Sequence, residues 1–178
     1  NLVNNMDRSK FDISVISLFG GGVNERFLKK DIHYKSIFKR TIPGNSKIMK
    51  LFTPEFLHKM FVKEQYDIEV SYLEGPSARI ISGCSNKKTK LVSWIHSEQK
   101  TKDAVASSFR NVMEAKYCYN KFDQTVCVSE YIMNNFRSVL DYEKSCRVLY
   151  NVIESDEIRK KAEEDVIELN KECIRLIA

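Results

Sequence analysis

Six short runs rich in Val, Ile, Tyr and Leu recur along the chain, each separated from the next by a segment with helical spacing. No other feature restricts the fold as much. Alternation of apolar and polar residues marks a strand, whereas apolar residues at i, i+3, i+4 and i+7 mark a helix. By that test "DISVISL" (12–18), "IHYKSIF" (32–38), "DIEVSYL" (67–73), "TKLVSWI" (89–95), "QTVCVS" (124–129) and "CRVLY" (146–150) are strands. Between them, "VNERFLKK" predicts a short helix. "GNSKIMKLFTPEFLHKMFVKEQ" predicts helix interrupted at Pro54, a residue suited to the first turn of a new helix. "SARIISG" predicts a helix stopped by Gly83, "VASSFRNVMEAKYCYNK" one continuous helix, and "EYIMNNFRSVL" another. Helix resumes from about Glu154, and "CIRLIA" at the end reads as the start of a further strand. Such alternation predicts an α/β fold, a parallel sheet with helices on both faces. Ligands of these sheets sit outside the carboxyl ends of the strands. The stretches to read for function are therefore Gly20–Gly22, Glu74–Ser77, His96–Glu98, Ser129–Glu130 and Asn151.

The length of 178 residues suits one domain with a sizeable core. No run approaches the roughly 18 consecutive apolar residues that span a bilayer, and no signal-peptide pattern opens the chain. A cytosolic address is expected. The five cysteines are an odd number without a C-x-x-C pair, which favours buried thiols in a reducing compartment over a disulfide or zinc framework. Net charge is +5 but uneven: residues 1–63 carry 12 Lys+Arg against 5 Asp+Glu, the remainder 17 against 19. The basic first third attracts phosphates. Nucleic acid is not the expected partner, because no zinc-finger spacing, RNP-type motif or helix-turn-helix is present. The stretch Lys47–Lys63 sets Phe and Met beside Lys47, Lys50, Lys59 and Lys63. It either packs one face on the sheet or lies on an anionic membrane, and the two are compatible.

The post-strand stretches carry the candidate chemistry. There is no Walker A loop, G-x-G-x-x-G, nucleophile elbow or H-E-x-x-H. Gly20–Gly22 allows either close approach to a ligand or a plain flexible connection. "EGPSAR" turns through Gly75-Pro76 into a helix; Ser77 there serves either a ligand or the helix start. The stretch "WIHSE" is the sharpest. An imidazole at a strand's carboxyl end either donates to a ligand oxygen or is a satisfied structural histidine. Ser129 combines a strand end with a good N-cap, and Asn151 ends the last strand, facing either its own turn or a cleft.

Taken in order, "FDISVISLFGGG", "YDIEVSYLEGPSARIISG", "KLVSWIHSE", "FDQTVCVSEYIMNNF" and "VLYNVIESDEIRKKA" resemble the amino-terminal half of GT-B glycosyltransferases, in particular the family 4 retaining type. The resemblance implies a Rossmann-like domain over residues 1–165 that forms the acceptor side of an interdomain cleft, lacking its first strand. Residues 166–178 would be linker and the start of a carboxy-terminal domain, so the chain is expected to be cut at both ends. It also implies a nucleotide-sugar donor, a glycan or lipid-linked acceptor, and no cofactor or metal. His96 matches the family histidine that reaches the donor sugar and is the catalytic candidate. Ser129 and Asn151 match cleft-lining positions, and Glu74, Gly75 and Ser77 fall on the acceptor side. Asn151-Val-Ile-Glu replaces the commoner Asn-Gly-Val-Asp at the hinge. Two alternatives share the architecture: a non-catalytic binding subunit, and a sugar-nucleotide epimerase.

Overall fold

The alternating runs form strands, and every strand pair is parallel. The structure, a computed structural model, describes residues 2–40 and 45–164. Its elements are β1 (Ser14–Phe19), β2 (His33–Phe38), α1 (Asn45–Met49), α2 (Pro54–Phe61), β3 (Ile68–Ser71), α3 (Pro76–Ile81), β4 (Lys90–Ile95), α4 (Lys102–Val105), α5 (Val112–Asn120), β5 (Gln124–Cys127), α6 (Glu130–Leu140), β6 (Cys146–Val148) and α7 (Ser155–Glu164). Parallel sheets flanked by helices are the α/β class expected. The strands do not share one ladder, however. Strands β1 and β2 form a two-stranded sheet, and β3-β4-β5-β6 a four-stranded one.

Helix starts follow local capping chemistry. Thr53 accepts from the Phe56 N–H at 3.2 Å and Pro54 follows it, as the sequence predicts. Ser129 caps α6 in the same way through the Ile132 N–H at 3.2 Å. Two predicted helices turn out differently. Within "VNERFLKK" only a 3-10 turn forms, at Glu25–Phe27. The predicted helix over 105–121 is broken after a 3-10 turn at Ala106–Ser108. Phe109 turns extended there and its ring is wholly buried, and Asn111 restarts the chain as α5 by accepting from the Glu114 N–H at 2.9 Å. A buried aromatic and a strong N-cap override the helical spacing. The predicted strand "CIRLIA" lies outside the described residues.

One face of the four-stranded sheet carries the main core. Leu91, Ile95 and Cys127 pack there against Ala78 of α3, Ala115, Cys118 and Tyr119 of α5, and Ile132 and Phe136 of α6. A hydroxyl chain, Ser93 to Thr125 to Tyr142 with both links at 2.9 Å, satisfies the polar groups buried in this layer. On the other face Ile68 and Val70 of β3, and Tyr72 just past it, are exposed. Strand β3 is therefore inverted: its apolar residues point outward, while Glu69 and Ser71 are buried. A second cluster of Met49, Leu57, Phe61, Val62 and Ile80 carries the β1–β2 sheet through Leu18, Ile37 and Phe38. Gly83 lets α2 approach here, since a Cβ at this position would lie 1.9 Å from the Pro54 carbonyl oxygen.

Arg79 is the largest fully buried side chain. Its guanidinium donates to Glu114 Oε2 (3.1 Å) and Oε1 (3.0 Å), and to the Met49 and Phe52 carbonyls at 2.8 and 2.7 Å. Arg110 donates to the Lys50 and Leu51 carbonyls at 2.8 and 3.1 Å. Two arginines thus satisfy the carbonyls that the carboxyl end of α1 leaves open. No helix among the described residues is long and apolar enough to cross a membrane.

Candidate functional site

A cavity of about 340 Å³ lies beyond the carboxyl ends of β3, β4 and β6, lined by Leu2, Tyr72, Leu73, His96, Asn151 and Val152. His96 and Asn151, singled out separately in the sequence, thus face one space. The His96 ring sits in an aromatic cluster, edge-to-face with Tyr72 at 4.7 Å and stacked on Trp94 at 6.0 Å, with Tyr72 and Trp94 5.2 Å apart. These contacts fix the imidazole plane. His96 Nε2 and Trp94 Nε1 are buried and have no hydrogen-bond partner among the described residues. An unpartnered buried nitrogen costs free energy unless something else meets it.

Glu74 holds the backbone that carries His96. Its Oε1 accepts from the His96 N–H (2.5 Å), the Ser97 N–H (2.6 Å) and the Ser97 hydroxyl (3.1 Å). From the other side, Asn135 of α6 binds Gln99 reciprocally, accepting from its N–H at 2.7 Å and donating to its carbonyl at 3.1 Å. The turn after β4 is therefore clamped between a carboxylate and a helix. Glu98 accepts from the Tyr131 hydroxyl at 2.6 Å, and this bond to its charge raises the Tyr131 pKa, keeping the phenol a neutral donor.

The remaining candidates serve the frame. Ser77 donates to the Leu73 carbonyl at 2.5 Å and meets the Ser71 hydroxyl at 2.9 Å, tying α3 back to β3. Gly75 has φ 78°, and a Cβ there would lie 2.8 Å from Ser108 Oγ, so the turn into α3 needs glycine on both counts. Ser129 spends its oxygen on the α6 cap and does not line the cavity. Neither Tyr72 nor Trp94 is among the candidates the sequence singles out. The signal was an aromatic at the carboxyl end of each of two adjacent strands, two residues before Glu74 and His96 respectively.

The cavity can take a polyhydroxylated ligand: Leu2, Leu73 and Val152 supply apolar walls, Tyr72 an aromatic one, and His96 and Asn151 the polar side chains. No curated protein and no solved structure matches the chain. The family model described as Glycosyltransferase Family 4 matches residues 1–157, nearly all of the described length and all the elements that build this cleft. The chain belongs to glycosyltransferase family 4 and carries that family's glycosyltransferase domain.

Proposed function

We propose that this domain forms the acceptor side of an enzyme that transfers a sugar from a nucleotide-sugar to a glycan or lipid-linked acceptor. A second domain, outside these 178 residues, grips the donor diphosphate through a helix dipole and Arg/Lys groups, so the transfer site needs no metal or cofactor. His96 reaches a hydroxyl of the donor sugar, Asn151 lines the hinge side of the cleft with Ser129 capping the neighbouring helix, and Glu74, Gly75 and Ser77 shape the acceptor side. The observation that carries this is His96 in the cavity wall, with its Nε2 buried and without a hydrogen-bond partner among the described residues. A ligand hydroxyl there satisfies it. The test is an assay of the full-length protein with a panel of nucleotide-sugars and lipid-linked acceptors. Sugar transfer that persists in EDTA is expected, together with no transfer by residues 1–178 alone. Transfer by the isolated 178 residues would refute the division of labour, and a full-length protein that turns over no donor is a binding subunit.

The same proposal places the enzyme in the cytoplasm, peripherally at the inner membrane face. Ile48, Leu51, Phe52 and Phe56 are exposed, and the Phe52 and Phe56 rings stack at 5.0 Å. Lys47, Lys50, Lys59 and Lys63 flank them, the composition of a headgroup-level contact. Binding to vesicles containing phosphatidylserine is expected to weaken as salt rises. Equal binding to neutral vesicles at any salt removes the contact.

A further inference from the structure

Behind the inverted strand β3 lies a cluster that the cleft does not use. Glu69 points inward with only 5% of its side chain exposed, an unusual place for a carboxylate. His58 of α2 meets it, Nε2 to Oε2 at 2.7 Å, and the Cys84 thiol, just past α3, lies 3.7 Å from its other oxygen. One donor atom from each residue falls within 4.8 Å of the other two. A cavity of about 420 Å³, lined also by Asn86 and Thr89, opens beside them to the surface.

We propose that His58, Glu69 and Cys84 form a zinc site with three protein ligands and a fourth position open to the cavity. The donor set is borderline-soft, with imidazole, carboxylate and thiolate together, which suits zinc and not magnesium or calcium. The sulfur-to-oxygen spacing fits, while His58 must exchange its 2.7 Å hydrogen bond to Glu69 for a bond to the ion, because a tetrahedral zinc holds nitrogen and oxygen about 3.4 Å apart. A tetrahedral zinc with bonds of about 2.3 Å to sulfur and 2.1 Å to oxygen holds those two atoms about 3.6 Å apart. Here Glu69 and Cys84 stand at 3.7 Å. Binding replaces the Cys84 thiol proton, which leaves to solvent, and the resulting thiolate and the Glu69 carboxylate balance the two charges of the ion.

The site is separate from the cleft. Glu69 is paired with Leu91, and five residues of strand at about 3.3 Å each carry β4 from Leu91 to His96, roughly 16 Å away. Side chains alternate across the sheet, so Glu69 faces the helices while Tyr72, Trp94 and His96 face the other way. The ion would pin α2 and the loop after α3 to the start of β3. The absence of C-x-x-C spacing hides such a site from the sequence, because its ligands come from three separate elements.

The test uses the full-length protein stripped by chelator and titrated with Zn²⁺ against a chromophoric competitor, with Co²⁺ as spectroscopic probe. One Zn²⁺ that depends on Cys84 is expected, with a thiolate-to-Co²⁺ charge-transfer band in the near ultraviolet. Cys84→Ser should abolish the band, and Cys84→Ser and His58→Ala should each weaken Zn²⁺ at least about tenfold. Cys146→Ser should change neither. If those variants misfold, the unmutated protein decides: Zn²⁺ should slow iodoacetamide alkylation of Cys84 and leave that of Cys146 unchanged. Zn²⁺ binding that survives both substitutions, or alkylation of Cys84 indifferent to Zn²⁺, overturns the proposal.

Discussion

Arg79→Met is expected to destabilise the protein by about 3–5 kcal/mol, the cost of leaving one partner of a buried ion pair uncompensated. Methionine fills most of the arginine stem, so the loss is chiefly electrostatic. Glu114, only 13% exposed in its side chain, would lose its bidentate partner, the Phe52 carbonyl would lose its arginine donor, and the Met49 carbonyl would keep only the Phe52 N–H. Urea unfolding at neutral pH measures the effect, and a change below about 1 kcal/mol would show the pair to be dispensable. A pH signature accompanies it. Burial opposes ionisation of Glu114, but Arg79, with the Arg110 backbone N–H, outweighs that and lowers the carboxyl pKa. A depressed folded pKa means stability that is complete above the unfolded glutamate range and lost as pH falls through the folded value. Glu114→Gln should flatten that acid limb, and Arg79→Met should weaken it, since only Arg110 is then left to oppose the effect of burial on the carboxyl.

His96→Ala is expected to lower kcat/KM about 100-fold in the full-length enzyme, the scale for removing one donor aimed at developing charge. The ring is held by Tyr72 and Trp94 in the free protein, so its placement costs nothing when substrate arrives. Glu74 positions that ring by accepting from the His96 and Ser97 N–H groups. Glu74→Ala leaves the His96 and Ser97 N–H groups without their acceptor, and a loss of about tenfold is expected, in kcat more than KM. Glu74→Gln retains a carbonyl oxygen and should recover most of it. His96→Ala within twofold of the parent returns the residue to a packing role. A Gln variant no better than Ala would show that Glu74 acts by its charge.

Element type was legible because periodicity is local. The α6 start at Ser129–Glu130 and the Thr53-Pro54 start of α2 could be read from a few residues of capping chemistry. The break in the predicted helix at Phe109 could not, since it depends on how deeply one ring is buried by distant elements. The division into two sheets was equally hidden: which strands pair is decided by partners far apart in sequence. At the cleft, His96 and Asn151 could be placed at strand ends by pattern, and the structure brings them to one cavity. The bracing of His96 by Glu74 spans 22 residues, and no spacing rule connects them. Ser129 and Ser77 illustrate the reverse case, with hydroxyls in suggestive positions that the backbone claims first.

The aromatic cluster has an optical consequence. Trp94 is the only tryptophan in the 178 residues, so the indole emission of this domain comes from one ring. That ring stacks on His96 and meets Tyr72 edge-on, and its indole nitrogen is buried without a hydrogen-bond partner among the described residues. A ligand against Tyr72 and His96 in the cavity is expected to change that emission. The domain therefore carries its own fluorescent reporter, within stacking distance of the residue whose chemistry is in question.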